Sequence, residues 1–255
     1  MRMRDTRANE EYFEKYRKNE EYGVSRSLPV VNGLLDPEKD LNKVLDRIRG
    51  YANSHLGLVK YAYSMGSPVE DIRELVPLAI SALVIEKATN VRLLPAETIE
   101  IAHNFSTLRD TYIDALSILS LAVIFDLPTD EISEATSDAG GDTLFELIAS
   151  GQTSLAADAP VHLAWPRPYG RLLAVFQAEE SKRPKLMLAF LKVWHQQNKG
   201  ASWWNSHERV AVGGLSYGGY WCFEAAAVVK LLGIEDSSFR DNEFYPADLV
   251  HPDEE

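Results

Sequence analysis

Between Tyr220 and Leu232 the only charged positions are Glu224 and Lys230, so apolar groups cover nearly the whole circumference of a helix formed there. A helix that is apolar all round has to be enclosed by other helices. This stretch therefore demands a deep core from the rest of the chain. Its end is equally legible: Leu231-Leu232-Gly233-Ile234 supplies a glycine for the left-handed position past the last turn and an isoleucine to fold back on it. Beyond it, Asp236-Ser237-Ser238 offers cap-type oxygens for one short helical turn. Phe244-Tyr245-Pro246 then brings two rings and a fixed φ, so the tail is expected to dock on the core.

Glu224 is the odd residue in that helix. It follows Tyr220 by four positions and Trp221 by three, which puts it on their side, where a carboxylate must find a hydrogen-bond donor or carry a raised pKa. A tyrosine, an indole N–H or an arginine from another helix would satisfy it as a structural group. We expect that role, with a catalytic carboxylate as the alternative.

Just upstream, Gly214-Leu215-Ser216-Tyr217-Gly218 matches the G-x-S-x-G elbow of α/β-hydrolases, with Arg209-Val210-Ala211-Val212 as a candidate preceding strand. Chain order opposes a hydrolase. Those enzymes place the acid and then the histidine after the serine, on loops that follow later strands of a parallel sheet. Asp236, Asp241 or Asp248 with His251 could complete a triad by composition, but the chain beyond Ser216 is mostly one helix. Ser216 is instead expected to cap the buried helix.

The remaining chain shows helical periodicity. Residues 6–22 mix both signs of charge with Tyr12, Phe13 and Tyr16 and suggest a short amphipathic surface helix, followed by a linker over 23–36 containing Gly23, Pro29 and Gly33. Asp36-Pro37 caps a long helix whose apolar stripe is Leu41, Leu45, Ile48, Ala52, His55, Val59 and Tyr63. Gly66 closes it. Ser67-Pro68-Val69-Glu70 opens the next with a capping-box pattern, and Pro77 should kink that helix. A third is expected after Pro95, with Ile101, Phe105, Leu108, Tyr112, Leu116, Leu119 and Val123 on one face. After Pro128 the helices shorten, near 130–137 and 143–150 around Gly140-Gly141, and then recur near 170–178 and 183–198. The expected fold is all-α, with two packed helical domains or sub-domains, 6–127 and 128–250, around the buried C-terminal helix.

Composition excludes several classes. The longest apolar run, Leu116 to Phe125, is too short for a membrane span and contains Ser117 and Ser120. Met1-Arg2-Met3-Arg4-Asp5-Thr6-Arg7 has no apolar segment of the kind a signal peptide needs, and the single cysteine, Cys222, fits a reducing cytoplasm. The six histidines show no metal-ligand spacing, and there is no P-loop and no G-x-G-x-x-G, so neither a metal nor a cofactor is expected.

Charge is the informative quantity. The net charge is −12, and from Asp110 to Pro166 there is no lysine or arginine. Such a balance argues against direct nucleic-acid binding and for either solubility or a basic partner.

Three strings stand out in the C-terminal region: G-Y-W-x-x-E-A-A-A from Gly219, L-L-G-I-E-D-S-S from Leu231, and Y-P-A-D-L from Tyr245. Together they resemble the C-terminal domain of the PoNe immunity (PoNi) family, with Tyr220, Trp221, Glu224, Tyr245, Pro246 and Asp248 as the structural core of the motif. The resemblance implies an all-helical, non-enzymatic inhibitor that binds a cognate DNase toxin delivered by a bacterial secretion system. On that implication the carboxylates occupy the basic nuclease groove, and Asp126, Asp130, Glu131, Glu134, Asp138, Asp142 and Glu146 are the expected contacts. A serine hydrolase using Ser216 and a helical scaffold with a merely solubilising acidic face are the alternatives.

Overall fold

The computed structural model describes residues 2–137 and 139–252, with Lys39 described by its backbone alone. Among the described residues every regular element is helical, and the fold is all-α. The chain forms two compact units, Met1–Ala102 with Asn205–Gly219 and His103–Trp204 with Tyr220–Glu255. The first unit thus runs to Ala102 and takes back a later strap of chain.

The first unit is built on α1 (Glu10–Val31), α2 (Pro37–Met65) and α3 (Val69–Leu93), with α1 against α2 and α2 against α3, and α4 (Ala96–His103) lies at its end. Asp36 caps α2 by accepting from the Glu38 N–H at 3.0 Å, and Gly66 closes it in the left-handed region at φ 83°. Three expectations need correction. The expected linker is helical to Val31, because packing overrides the breakers: a Cβ on Gly23 would come within 2.2 Å of Ser54 Oγ, so the glycine is what lets α1 approach α2. The α2 stripe also begins elsewhere. Asp40 leaves helical geometry at φ −131°, and Val44 rather than Leu41 enters the core, with Ile48, Ala52, Leu56, Val59 and Tyr63 below it. Pro68, not Ser67, precedes α3, without a side-chain cap.

The returning strap, Asn205–Gly219, holds a 3₁₀ turn over Ser206–Val212 where a strand had been a candidate. Its anchor is Tyr217, fully buried, whose N–H donates to Tyr12 Oη at 2.9 Å and whose hydroxyl donates to Asp5. Gly218 follows with its carbonyl accepting from Ser64 Oγ at 2.8 Å. Any larger residue there would meet Tyr16 Oη at 2.7 Å, so this close approach requires glycine.

The second unit contains α5 (Arg109–Ile124), α6 (Asp130–Ala135), α7 (Thr143–Ser150), α8 (Pro166–Gln177), α9 (Arg183–Gln197) and α10 (Phe223–Leu232). The helix expected after Pro95 is in fact α4 and α5, broken over 104–108 where the Asn104 side chain accepts the Ser106 N–H at 2.8 Å. Helix α10 packs on α5, and Ala225, Ala226, Ala227 and Val228 are all fully buried. Short side chains allow that enclosure. Gly233 ends α10 at φ 59°, and the Ile234 N–H returns to the Val229 carbonyl at 3.0 Å. The tail is tied down too, by Cys222 N–H to Phe244 O at 2.8 Å and by Tyr245, Pro246 and Leu249, which are buried.

Candidate functional site

The acidic segment expected to carry binding lies in the second unit, and its residues do not behave alike. Asp142 is the N-cap of α7 and only 2 % exposed. Its Oδ1 accepts from the Phe145 N–H at 2.9 Å and from Tyr112 Oη at 3.3 Å, while Oδ2 accepts from the Ala164 N–H at 2.8 Å. Burial raises its pKa, against the opposing pull of those donors. Three converging donors thus hold Asp142 as the buried cap of α7.

Asp126 is exposed but compensated. It sits at φ 53°, just past α5, and Lys230 Nζ reaches it at 2.7 Å while also donating to the Ile124 carbonyl. Asp138 lies outside the described residues. That leaves Asp130, Glu131 and Glu134 on α6 and Glu146 on α7, all exposed and none ion-paired with a cation among the described residues.

Asp130, Asp142 and Glu146 share a groove of about 400 Å³ with Ser133, Ser137, Ser150 and Phe145. The sequence placed these residues near one another in number. It could not show that three of the carboxylates, Asp130, Asp142 and Glu146, line a common cavity, because the geometry is made by the turn through Gly140 and Gly141 at φ 89° and 72°. No sequence motif marks the serines; their nearness to the acids is visible only once α6 and α7 are set side by side.

The motif residues form a second assembly in the same unit. Glu224, 2 % exposed, accepts the Trp194 indole N–H at 2.6 Å, and burial raises its pKa despite that bond and others from Cys222 and Tyr169. Tyr220 is buried against His195, with ring centroids 4.7 Å apart, and against Trp203 at 5.6 Å. Trp221 is buried, and Asp248 is partly buried in the tail. Asp236, 1 % exposed, gathers Arg240 Nη2 at 2.7 Å, Tyr245 Oη at 2.9 Å and His251 Nε2 at 2.7 Å. This cluster locks the tail onto the turn after α10. It also accounts for His251, whose ring nitrogen faces a carboxylate and a guanidinium instead of a nucleophile.

Ser216 neither caps α10 nor sits on an elbow. Its Oγ accepts from Arg209 Nη2 at 3.1 Å, and Cys222 occupies the N-cap of α10 without a side-chain capping bond. Among the described residues no group of three or more His, Cys, Asp or Glu side chains could hold a metal ion, and no helix is long and apolar enough to cross a membrane.

Residues 4–137 match the family model of the N-terminal region of PoNe immunity protein (PoNi), and residues 140–249 match that of PoNe immunity proteins (PoNi), C-terminal. Among solved structures, protein PA2201 from Pseudomonas aeruginosa is similar, with a TM-score of 0.66 at 18 % identity, over 98 % of this chain and 90 % of that one. At that identity the likeness concerns the fold alone. No curated protein matches the sequence.

Proposed function

The chain belongs to the PoNe immunity protein (PoNi) family, and from that premise we propose that it neutralises a cognate DNase toxin of a bacterial secretion system, type VI among them, by setting the α6–α7 acidic face against the basic groove of the nuclease. The observation that carries this reading is the run from Asp110 to Pro166 without a lysine or arginine, within which Asp130, Glu131, Glu134 and Glu146 stay exposed and unneutralised. Close like charges are unfavourable by themselves, so the arrangement gains most when a cationic partner arrives. A nuclease groove that binds phosphates is such a partner.

The protein then acts in the cytoplasm of the producing cell, by occupancy and not by chemistry. The same negative field repels nucleic acid, so inhibition proceeds by contact with the toxin itself. The cognate DNase toxin, expressed in a susceptible bacterium with and without this chain, tests the reading. Restored growth with intact chromosomal DNA, and a complex that survives gel filtration, is the expected result. Cell death with no complex, although the chain is folded and abundant, would overturn it.

A further inference from the structure

The groove between α6 and α7 differs from an ordinary acidic patch in the state of its hydroxyl groups. Ser133 Oγ donates to the Thr129 carbonyl at 3.1 Å, Thr136 Oγ1 to the Ile132 carbonyl at 2.8 Å, Ser137 Oγ to the Glu134 carbonyl at 2.8 Å, and Ser150 Oγ to the Glu146 carbonyl at 2.7 Å. A hydroxyl has one proton and two lone pairs. With that proton committed to the helix backbone, each oxygen can offer the groove acceptor capacity alone. The carboxylates of Asp130, Asp142 and Glu146 are acceptors as well. The polar side chains of this cavity of about 400 Å³ therefore present lone pairs without donors.

Such a lining selects for a group that is all donor. Amides and hydroxyls carry both capacities and would leave an acceptor of their own facing lone pairs, while phosphate and carboxylate would be repelled. A guanidinium has five N–H donors in a planar fork and no acceptor, and it stacks on aromatic faces; two aromatic rings, Phe105 and Phe145, also line the groove. A bound metal ion fits less well, since no cluster of three or more ligating side chains occurs among the described residues.

We infer that the α6–α7 groove is a socket for one arginine side chain of the protein partner, held between Asp130 on one helix and Glu146 on the other. This rests on the reading of the chain as an inhibitor of a basic nuclease and narrows it: the acidic face at large draws the partner in, and the groove fixes its register through a single desolvated cation. Glu131 and Glu134 lie outside the groove lining and supply field without a socket.

Two measurements separate the socket from the wider reading. The first is an amide NMR titration of the whole ¹⁵N-labelled protein with N-acetyl-arginine amide, its uncharged citrulline counterpart and magnesium chloride. Saturable shifts confined to Ser133, Ser137, Gly141, Glu146 and Ser150 with the arginine probe alone are expected, and these should vanish in Asp130→Asn/Glu146→Gln. Absence of saturation, equal shifts with the citrulline probe, or saturation by magnesium at the same residues would overturn the socket. The second is calorimetry with the purified toxin domain. Asp130→Asn/Glu146→Gln should weaken binding by about thirtyfold or more, the scale on which an unpaired desolvated charge is felt. A matched removal of charge from α4, Glu97→Gln/Glu100→Gln, should change affinity less than about threefold. If wild type binds the toxin and the groove pair binds equally well, with unchanged circular dichroism, the socket is wrong and the inhibitor reading stands. If wild type does not bind the toxin, the inhibitor reading fails, and the titration alone decides the socket.

Discussion

Asp142 and Glu146 are one helical turn apart, yet the first is a buried cap with three donors and the second an exposed carboxylate on the rim of a groove. The same contrast separates the α6–α7 face from the assembly around α10. On the face, carboxylates stand in solvent without a cation; around α10, Glu224 and Asp236 are enclosed and bonded. Charge density along the sequence is therefore a poor guide to charge at the surface. What separates the two groups is whether donors converge on the carboxylate, since a buried acid without them would be expelled or neutralised.

Substitutions that remove a carboxylate should sort along that divide. The largest loss is expected for Asp142→Ala, which deletes the cap of α7 and strands the Phe145 and Ala164 N–H groups and the Tyr112 hydroxyl: about 3 kcal/mol, from a lost cap and unpaired buried donors. Scanning calorimetry should show a fall in melting temperature of about 6 to 12 °C. A fall no larger than that of a surface control would place Asp142 with the exposed group and undo the contrast.

Glu224→Ala comes next, at about 2 kcal/mol, since it leaves the Trp194 indole N–H without its acceptor. The sharper probe is Glu224→Gln against pH. Burial raises the Glu224 pKa above the 4.5 of a free glutamate, so the folded state holds its proton longer than the unfolded chain does. Its contribution is full below pH 4.5 and is lost as pH rises through the folded value. Urea midpoints of wild type should therefore decline, relative to Glu224→Gln, from pH 4.5 upward; parallel curves would remove the raised pKa.

Asp236→Asn should cost somewhat less, about 1 to 2 kcal/mol, because a neutral amide still accepts from Tyr245 or Arg240. Its pH signature runs the other way. Burial pushes the Asp236 pKa up, but the bonds from Arg240, His251 and Tyr245 outweigh it and the net shift is downward. The stabilisation is present above the free value of 3.8 and is lost as pH falls through the folded value. Acid titrations followed by tryptophan fluorescence should show a steeper low-pH loss for wild type than for Asp236→Asn. Least affected should be Glu131→Gln and Glu134→Gln, each within about 0.5 kcal/mol of wild type in stability. Their effect should appear instead in the association rate with the toxin, fading as salt shortens the Debye length to about 8 Å at 0.15 M. A stability loss above that range would mean these carboxylates are structural as well.

Patterns confined to neighbouring residues were open to sequence reasoning. The unbroken apolar circumference of α10 required enclosure, Leu232-Gly233-Ile234 contained its own stop, and Asp36-Pro37 and Gly66 marked both ends of α2, because caps and periodicity act over four residues or so. The class of fold and the exposed acids on α6 followed from the same local chemistry. Tertiary structure alone decided whatever depends on residues distant in sequence. Gly23 and Gly218 look like breakers, yet they are the places where α1 meets Ser54 and where the strap meets Tyr16. Ser216, a cap by its place in the sequence, is not one, since Cys222 holds the N-cap position of α10. Beyond the local cap bond from the Phe145 N–H, Asp142 differs from Glu146 through Tyr112 and Ala164, which lie 30 and 22 positions away. A hydrogen bond has no sequence signature at such separations, and burial, which fixes the energy of a carboxylate, is a property of the assembled core and not of the chain.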